Sequence, residues 1–366
     1  MTASDRRFMR LALGLAAREL GNVWPNPAVG CVVVRSGRIV GRGWTQAGGR
    51  PHAEACALSW AGGRARGATA YVTLEPCSHH GKTPPCAEAL VQAGVKRVVV
   101  AHLDPDPRVN GRGIRILEEA GTKVSTGVLA AEAGSLNQGF LTRVREGRPM
   151  VTLKLATSLD GRIATATGES RWITCHEARR ATHVMRARHD AVLVGAGTAR
   201  ADDPSLTVRG LGVERQPVRV VLSRSLDLPL TSRLATTAGQ APVWLCHGPD
   251  VDPEVQRAWM SRGASLFEVP LGACRRLDPM AVLRALGRAG LTRVFCEGGG
   301  KLAASLLLSD AVDRIVTFSA GVVLGVEGVP SMGALGLARL SEAPRFRLIE
   351  SRAIGSDALQ FWSVAS

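Results

Sequence analysis

Three residues between positions 52 and 86 form a donor set that suits zinc. His52 offers an imidazole, and Cys77 and Cys86 offer two thiolates, which are nitrogen and sulfur ligands of the kind that zinc prefers. Three protein ligands leave the fourth tetrahedral position for water, as catalytic zinc sites require. Glu54 follows His52 by two residues, so we expect its carboxylate to face that water as the catalytic acid and base without binding the metal. The sequence therefore predicts one catalytic Zn²⁺ per chain.

The spacing of these residues is typical of one class of zinc enzyme. A pattern of H-x-E, followed further along the chain by P-C and a second cysteine, is the signature of zinc deaminases. Here eight residues separate Cys77 from Cys86 instead of the usual two, which predicts a longer loop between the ligands. The alternative is a closed structural zinc site or simply buried thiols. Cys56, on the same face of a predicted helix as His52, would either close the site as a fourth ligand or pack behind the metal.

The loop at 76–86, P-C-S-H-H-G-K-T-P-P-C, resembles the signature of the riboflavin-biosynthesis deaminases. Four further strings resemble the reductase half of the bifunctional enzymes of that family: L-K-L-A-T-S-L-D-G-R-I-A at 153–164, G-E-S-R-W-I-T at 168–174, V-G-A-G-T-A-R-A-D-D-P-S-L-T-V-R at 194–209 and E-G-G-G at 297–300. The resemblance covers nearly the whole chain. It implies an α/β protein with an N-terminal cytidine-deaminase-like layered domain and a C-terminal dihydrofolate-reductase-like domain.

The resemblance also implies two reactions on small phosphorylated pyrimidines. The first is zinc-dependent hydrolytic deamination of 2,5-diamino-6-(5-phosphoribosylamino)pyrimidin-4-one. The second is NADPH-dependent reduction of the ribosyl group to ribityl. We further expect no nucleic-acid partner, no membrane association, and a homo-oligomer that is either a dimer or a tetramer.

Matching positions imply the residues of both sites. In the deaminase half, Asn26 is expected on the pyrimidine, and Lys82 is expected on the substrate. In the reductase half, the implied substrate-binding residues are Lys154, Ser170, Arg186, Leu206, Arg209 and Glu297. Arg186 and Arg209 are expected on the phosphate, because an arginine fork forms two hydrogen bonds with it. The implied cofactor-binding residues are Ala156, Trp172, Thr198, Asp202, Ser223, Arg224, Gly299, Gly300, Lys301, Leu302, Ala303, Ala304 and Ser305.

Ser223 and Arg224 favour NADPH over NADH. They follow a predicted strand from Val218 to Leu222, whose end we expect beside the adenosine ribose. The resembled family usually has Asp-Ser at these positions. A hydroxyl and a cation in their place suit the 2′-phosphate of NADPH. The alternative is that Arg224 is a solvated turn residue.

Two other positions depart from the family pattern. Thr45 follows Trp44 where family members usually carry His, and Cys56 stands at a second such position. The first change removes a polar contact to the substrate, and the second alters the surroundings of the metal. Neither change touches a predicted ligand or Glu54.

The flanking sequence predicts the elements that position the metal ligands. Apolar spacing predicts a first helix capped by Ser4 and running to about Leu20, followed by a hairpin across Ser36-Gly37. His52 and Cys86 each open a predicted helix, so two positive helix ends are expected to face the metal.

The domain boundary is predicted after residue 147. One helix is predicted from Ala130 to Arg145, and the segment 146–149, E-G-R-P, then breaks the pattern. This places a deaminase domain over residues 1–147 and a reductase domain over residues 148–366.

Glycines in the reductase half suggest contacts with phosphate. Gly298, Gly299 and Gly300 lie between a predicted strand, 293–296, and a predicted helix, 301–308, whose free N–H groups would bind a phosphate. Another strand runs into G-A-G-T at 195–198. Neither cluster meets the Rossmann or P-loop pattern, and a tight turn is the alternative for each. For Asp202-Asp203 the alternative is a helix cap beside a solvated neighbour.

The composition excludes some classes of protein and leaves one rival open. Hydrophobic residues form 45% of the 366 residues, which is enough for two cores. We see no leader peptide, no apolar stretch of membrane-spanning length and no disulfide framework, so we expect a cytoplasmic protein. The net charge of +15 would suit a nucleic-acid-binding protein with a structural zinc, or a deaminase acting on tRNA. However, the arginines form no basic run, and tRNA enzymes match the P-C-x-x-C spacing that this chain lacks.

Overall fold

The chain divides into two units, Met1–Gly147 and Arg148–Ser366. A computed structural model of the protein describes residues 2–79, 84–272 and 275–365. Each unit has its own central β-sheet with helices packed on it, as the predicted α/β class requires. In these described ranges, no helix has the length and apolar character needed to cross a membrane.

The first unit is built on a mixed sheet. Its strands are β1 (Gly30–Arg35), β2 (Arg38–Trp44), β3 (Thr69–Leu74), β4 (Arg97–His102) and β5 (Lys123–Thr126), and its helices are α1 (Ala3–Ala16), α2 (Ala53–Ala61), α3 (Cys86–Gln92), α4 (Arg112–Glu119), α5 (Ala130–Leu136) and α6 (Gln138–Glu146). The strand order is β2-β1-β3-β4-β5, with β1 antiparallel to both neighbours and β3, β4 and β5 parallel. The predicted hairpin across Ser36-Gly37 joins β1 to β2.

Alternating side chains of β1 enter two hydrophobic cores, one on each face of the sheet. Cys31 and Val33 pack with residues of α2 and α3. Val32 and Val34 pack with residues of α1 and α5. This division follows because successive side chains of a strand point to opposite faces, and it fixes α2 and α3 on the same side of the sheet.

The first helix has a different cap and an earlier end than predicted. Thr2, not Ser4, caps α1: its hydroxyl accepts a hydrogen bond from the Asp5 N–H, and the Asp5 carboxylate accepts one from the Thr2 N–H. Such reciprocal bonds form a capping box. The α-helix ends at Ala16, and the chain tightens into a 3₁₀ turn at Ala17–Glu19, as helix ends commonly do.

The single helix predicted from Ala130 to Arg145 is wrong. Two helices, α5 and α6, flank Asn137, which is 3% exposed. The Asn137 side chain makes two hydrogen bonds to the backbone of Ala28, 109 residues away in the sequence. A long-range contact of this kind overrides a local helical pattern, because helix propensity is a weak preference.

The second unit is built on a larger, mainly parallel sheet. Its strands are β6 (Met150–Thr157), β7 (Arg162–Ala164), β8 (Ala191–Gly195), β9 (Val218–Leu222), β10 (Val243–His247), β11 (Ser265–Glu268), β12 (Arg293–Cys296), β13 (Arg314–Ser319), β14 (Val329–Pro330), β15 (Phe346–Ile354) and β16 (Asp357–Val364), and its helices are α7 (His176–Ala187), α8 (Ala196–Asp202), α9 (Arg233–Thr236), α10 (Pro253–Ser261), α11 (Pro279–Arg288) and α12 (Gly300–Leu308). The order of the main sheet is β11-β10-β9-β8-β12-β6-β13-β16-β15. The terminal β15–β16 hairpin forms its antiparallel edge.

Three neighbouring strands of this sheet end at one edge. β8, β12 and β6 are adjacent and parallel, so the residues that follow them lie together, where ligands of open α/β sheets usually bind. Gly195 is the N-cap of α8, and Gly299 is the N-cap of α12. The helix α12 begins at Gly300, one residue earlier than predicted.

Candidate active sites

The predicted zinc ligands lie together at the ends of three elements. His52 is the N-cap of α2, Cys77 is in the loop after β3, and Cys86 is the first residue of α3. Nδ1 of His52 is 3.6 Å from the Cys77 Sγ and 3.4 Å from the Cys86 Sγ, and the three ligand atoms lie within 4.8 Å of one another. Tetrahedral zinc, with bonds of about 2.0–2.3 Å, holds its ligand atoms about 3.6 Å apart. The donor set and its spacing therefore fit a zinc ion.

The Cys77 sulfur is prepared to bind a cation. A hydrogen bond from the Cys86 thiol, helped by bonds from His52 and from the Cys86 N–H, lowers the pKa of Cys77 to about 4 against the effect of burial. That N–H lies 3.3 Å from the sulfur and belongs to the first turn of α3, whose positive end also favours a thiolate. Since zinc binds the thiolate form, the lowered pKa favours metal binding at neutral pH.

Glu54 lies in the first turn of α2 and is 3% exposed. Burial, together with the charge of Cys77, raises the pKa of Glu54 to about 7. Its carboxylate is not part of the ligand group, which in the described ranges consists of His52, Cys77 and Cys86. A carboxyl group that titrates near neutral pH can both accept and donate a proton during a reaction.

Cys56 and Thr45, the two positions that depart from the family pattern, both make contacts within the first unit. Cys56 does not join the ligand group formed by the described residues. Its Cβ packs on β2 so closely that a Cβ added at Gly43 would lie 2.7 Å from it, which favours packing over metal binding. Thr45 is buried, and its hydroxyl accepts a hydrogen bond from the Val29 N–H at 3.0 Å. Its side chain therefore stabilises the backbone at the start of β1.

Glu75 supports the ligand loop and was not predicted from the sequence. Its buried carboxylate accepts hydrogen bonds from four backbone N–H groups, those of Asp104, Gly111, Gly113 and Ile114. These bonds tie the residue two before Cys77 to the start of α4. The available signal was a glutamate directly before Pro76-Cys77. Its hydrogen-bond partners lie about thirty to forty residues further along the chain, and local spacing does not reveal such partners.

The predicted substrate residues of the first unit are only partly described. Asn26 is partly buried, and its side chain rests on the backbone of Gly49, in the loop that leads to His52. Lys82 lies outside the described residues. The structure therefore brings Asn26 into the same loop system as a metal ligand, and the role of Lys82 stays a prediction.

The second unit has a cleft of about 900 Å³ at the carboxyl ends of β6, β8 and β12, a volume typical of small-molecule sites. The predicted residues that line it are Lys154, Ala156, Ser170, Trp172, Arg186, Thr198, Asp202, Leu206, Arg209, Glu297, Gly299 and Gly300. All four strings of the second unit thus contribute to one cavity.

Other predicted cofactor residues do not line this cleft in the described structure: Ser223, Arg224, Lys301, Leu302, Ala303, Ala304 and Ser305. Ala303 and Ala304 are buried in the core, so their side chains are not available to a ligand. Ser223 is also buried, whereas Arg224 is exposed just beyond the end of β9. The part of α12 that reaches the cleft is its start, at Gly299 and Gly300.

Arg186 forms a buried ion pair, which leaves it less available to a phosphate than expected. Its Nε and Nη2 donate to the two carboxylate oxygens of Glu297, the second at 3.0 Å, and its Nη1 donates to the Thr207 carbonyl at 2.8 Å. Lys154 Nζ lies 3.9 Å from the same carboxylate. Although burial acts in the opposite direction, the charges of Arg186 and Lys154 lower the pKa of Glu297. The carboxylate therefore stays ionised, while Arg209 remains exposed at the cleft.

The two acids of the Asp202-Asp203 pair have different surroundings. Asp202 lines the cleft, whereas the Asp203 carboxylate accepts a hydrogen bond at 2.8 Å from the N–H of Arg233, the first residue of α9. Asp203 therefore contacts the first turn of α9, and Asp202 is the acid of the pair that lines the cleft.

Two basic residues of the cleft wall, Arg179 and His183, were not predicted from the sequence. Arg179 lies 4.7 Å from the ring centroid of Trp172, which is 67% exposed. Nδ1 of His183 accepts a hydrogen bond from the Arg209 N–H at 3.2 Å, and burial lowers the pKa of His183. Their signal was helical spacing, since both lie on α7 with Arg186.

Comparison with known proteins agrees with this pair of sites. A family model described as the cytidine and deoxycytidylate deaminase zinc-binding region matches residues 2–102, and one described as the RibD C-terminal domain matches residues 149–360. The riboflavin biosynthesis protein RibD of Aquifex aeolicus is 41% identical over 358 residues, which cover 98% of this chain and 98% of that protein.

Solved structures give the same result. The chain is similar to Acinetobacter baumannii RibD, with 37% identity, a TM-score of 0.88 and 99% of each chain covered. It is also similar to a diaminohydroxyphosphoribosylaminopyrimidine deaminase/5-amino-6-(5-phosphoribosylamino)uracil reductase from Thermotoga maritima, with 36% identity, a TM-score of 0.86 and 99% of each chain covered.

The fold, the histidine–cysteine ligand group and the two family models together define a zinc-binding deaminase joined to a reductase. The chain belongs to the RibD family of riboflavin biosynthesis proteins. It is a bifunctional enzyme of that pathway, with a deaminase domain and a reductase domain, and the predicted fold class and enzyme class are confirmed. Its reductase domain implies a nicotinamide cofactor.

Proposed function

We propose that the first unit deaminates 2,5-diamino-6-(5-phosphoribosylamino)pyrimidin-4-one at a single zinc ion held by His52, Cys77 and Cys86. The second unit then uses NADPH to reduce the ribosyl group of the product to ribityl. The observation that carries the proposal is the three-ligand group with a buried, protonatable Glu54 beside it. The substrate is taken from the similar Thermotoga maritima protein, whose name states both activities.

Glu54 moves the proton in the first reaction. When bound, Zn²⁺ supplies a Lewis acid that makes a water molecule acidic enough to attack near neutral pH. The Glu54 carboxylate accepts the proton of the attacking water and then donates it to the amine that leaves as ammonia. Its raised pKa of about 7 suits both halves of this transfer. Asn26 and Lys82 bind the substrate, Asn26 through its amide on the pyrimidine.

The residues of the cleft orient the second reaction. When bound, NADPH supplies the hydride that reduces the ribosyl carbon. Arg209 binds the substrate phosphate from the exposed rim, and Arg186 holds the Glu297 carboxylate in position for the pyrimidine or ribose. The start of α12 at Gly299 and Gly300 binds a phosphate of the cofactor, as free N–H groups at helix ends do. Arg224, which is exposed just beyond the end of β9, binds the 2′-phosphate, which would select NADPH.

We further propose that the enzyme works in the cytoplasm as a homo-oligomer and on small molecules rather than nucleic acids or membranes. The support for small phosphorylated ligands is the arginine-rich cleft wall, which includes Arg179 and Arg209. Guanidinium groups match the geometry of phosphate oxygens.

The test is an assay of both activities on one preparation of known metal content. Protein purified without oxygen should contain about one zinc per chain, release ammonia from the diaminopyrimidine and oxidise NADPH in the presence of the deaminated product. Treatment with a chelator should stop ammonia release and leave NADPH oxidation unchanged, because zinc belongs to the first site only. Chelation that stops both activities equally would contradict separate sites, and ammonia release that survives full removal of zinc would contradict the mechanism.

A further inference from the structure

The Asn26 amide is available to a ligand but is held in place by its surroundings. The residue is partly exposed, and no hydrogen bond from a described residue reaches its side-chain amide. Its backbone N–H donates to the Val23 carbonyl at 3.1 Å, which closes a turn. A free amide on a constrained backbone suits recognition of a pyrimidine edge, because a pre-oriented group loses little entropy on binding.

Asn137 fixes the backbone two residues beyond Asn26. Its Oδ1 accepts a hydrogen bond from the Ala28 N–H at 2.9 Å, and its Nδ2 donates one to the Ala28 carbonyl at 2.9 Å. Both residues are buried, with Asn137 at 3% and Ala28 at 2% exposure. The Asn137 amide thus pairs with Ala28 as a neighbouring strand would, and the pair has no water to replace it if the side chain changes.

The Asn26 side chain packs directly against the backbone of Gly49. A Cβ added at Gly49 would lie 1.9 Å from the Asn26 Nδ2, and the glycine has a φ of +85°, a conformation that favours glycine. The same loop is tied to the Asn26 segment by a hydrogen bond from the Gly48 N–H to the Asn22 carbonyl at 2.8 Å. It ends at His52, so its conformation relates Asn26 to the metal ligands.

We propose that Asn137 and Gly49 are positioning residues that together orient the Asn26 amide toward the pyrimidine. The inference rests on the proposed substrate contact of Asn26 and extends it. It also assigns α5 and α6 to the deaminase site, although they lie beyond the residues 2–102 that match the deaminase family model. Asn137, between α5 and α6, is the residue that carries this contact to Ala28.

A double-mutant cycle on the full-length protein tests the proposal. Asn137→Asp keeps the acceptor for the Ala28 N–H but loses the donor to its carbonyl. It should lower kcat/KM for ammonia release by about ten- to a hundredfold, as a small misplacement of a binding group does. Asn26→Ala should give a loss of similar size. The double variant should lose no more than Asn26→Ala alone, because residues that act through one another are not additive.

Gly49→Ala is a second test of the positioning role. It displaces the Asn26 side chain without removing a buried hydrogen bond. It should also lower kcat/KM in the wild-type background and have no further effect in the Asn26→Ala background. Asn110→Asp, an identical change at an exposed asparagine of the same unit, is the matched control and should leave ammonia release unchanged. Zinc content and NADPH oxidation, measured on the same samples, should stay at the wild-type level in all variants.

The possible results separate the two levels of the proposal. Effects of Asn137→Asp and Gly49→Ala that multiply with that of Asn26→Ala would overturn the positioning role and leave the deaminase function intact. A normal rate of ammonia release in Asn26→Ala would overturn the substrate contact itself. Loss of zinc in both positioning variants would show that these residues serve the metal site and not Asn26.

Discussion

At the scale of single residues, the pKa shifts at the zinc site suit Cys77 to bind the metal and Glu54 to transfer a proton. The pKa of Cys77 is lowered to about 4, whereas that of Glu54 is raised to about 7. A metal ligand must be deprotonated, and a group that transfers a proton must titrate near the working pH. Glu54, in the first turn of α2, and Cys77, in the loop after β3, therefore acquire opposite pKa shifts from their local contacts.

Arg224 gives a prediction about the choice of cofactor. Replacement with alanine should raise the KM for NADPH by about tenfold or more and leave the KM for NADH nearly unchanged, because a charge-assisted hydrogen bond to the 2′-phosphate is lost. Steady-state kinetics with both cofactors checks this. Arg257→Ala is the matched control, since that arginine is also exposed in the second unit. Equal effects on both cofactors, or none, would place Arg224 outside the phosphate site.

Residue types at short spacing were predictable, and their long-range partners were not. One short stretch contains His52, Glu54, Cys77 and Cys86. Their residue types and spacing are therefore enough to predict a zinc site. The ion pair between Arg186 and Glu297 joins positions 111 residues apart. No local pattern indicates that the partner of Arg186 in the folded protein is a carboxylate. Types of side chain are local facts, whereas their hydrogen-bond partners depend on the fold.

At the scale of elements, Asp5 joins α1 to the sheet. Its carboxylate accepts the Thr2 N–H as part of the capping box, pairs with the Arg97 guanidinium at 2.8 Å and accepts a hydrogen bond from the Tyr71 hydroxyl at 3.1 Å. The hydrogen bonds from Arg97 lower the pKa of Asp5 below its ordinary value of 3.8. The folded state therefore favours the ionised form, and this carboxylate links a helix, β3 and β4.

Asp5→Asn should destabilise the first unit by about 1 kcal/mol or more at pH 7, because it removes the charge that pairs with Arg97, and a hydrogen bond to a charged group contributes about 1.5–3 kcal/mol. Because the pKa of Asp5 is lower in the folded state, its stabilisation is present above pH 3.8 and is lost as the pH falls through the folded value. Thermal unfolding followed from pH 7 to pH 3 should show the difference between wild type and variant shrinking toward the acid end. Asp250→Asn, at an exposed acid of the second unit, is the control, and an equal loss in both variants would contradict the role of Asp5.

Most elements could be predicted because their patterns are local. The β1–β2 hairpin has a turn at Ser36-Gly37 between apolar strands, and β12 matches its predicted range. The break between α5 and α6 was not predicted, because apolar residues continue at helical spacing on both sides of Asn137. The partner of Asn137, the backbone of Ala28, could not be read from local spacing, since it lies 109 residues away.

At the scale of the whole molecule, each unit has its own sheet and core. We expect the fragment 148–366 to fold and to oxidise NADPH with the deaminated substrate, at a rate similar to that of the full chain. The cleft residues named above all lie within that fragment, which is the physical reason. Circular dichroism and NADPH oxidation check the prediction. A folded fragment that binds NADPH but shows no activity would contradict independent sites.

The most direct test of the central claim is the Glu54→Gln variant, given each of the two substrates in turn. With the diaminopyrimidine, ammonia release should fall by about 10²–10⁴-fold, because the group that transfers the proton is gone, and NADPH should not be consumed. With the deaminated substrate, the same sample should oxidise NADPH at the wild-type rate and contain about one zinc per chain. Ammonia release near the wild-type rate, or loss of zinc from the variant, would contradict the assignment of Glu54 as the proton carrier of a zinc deaminase.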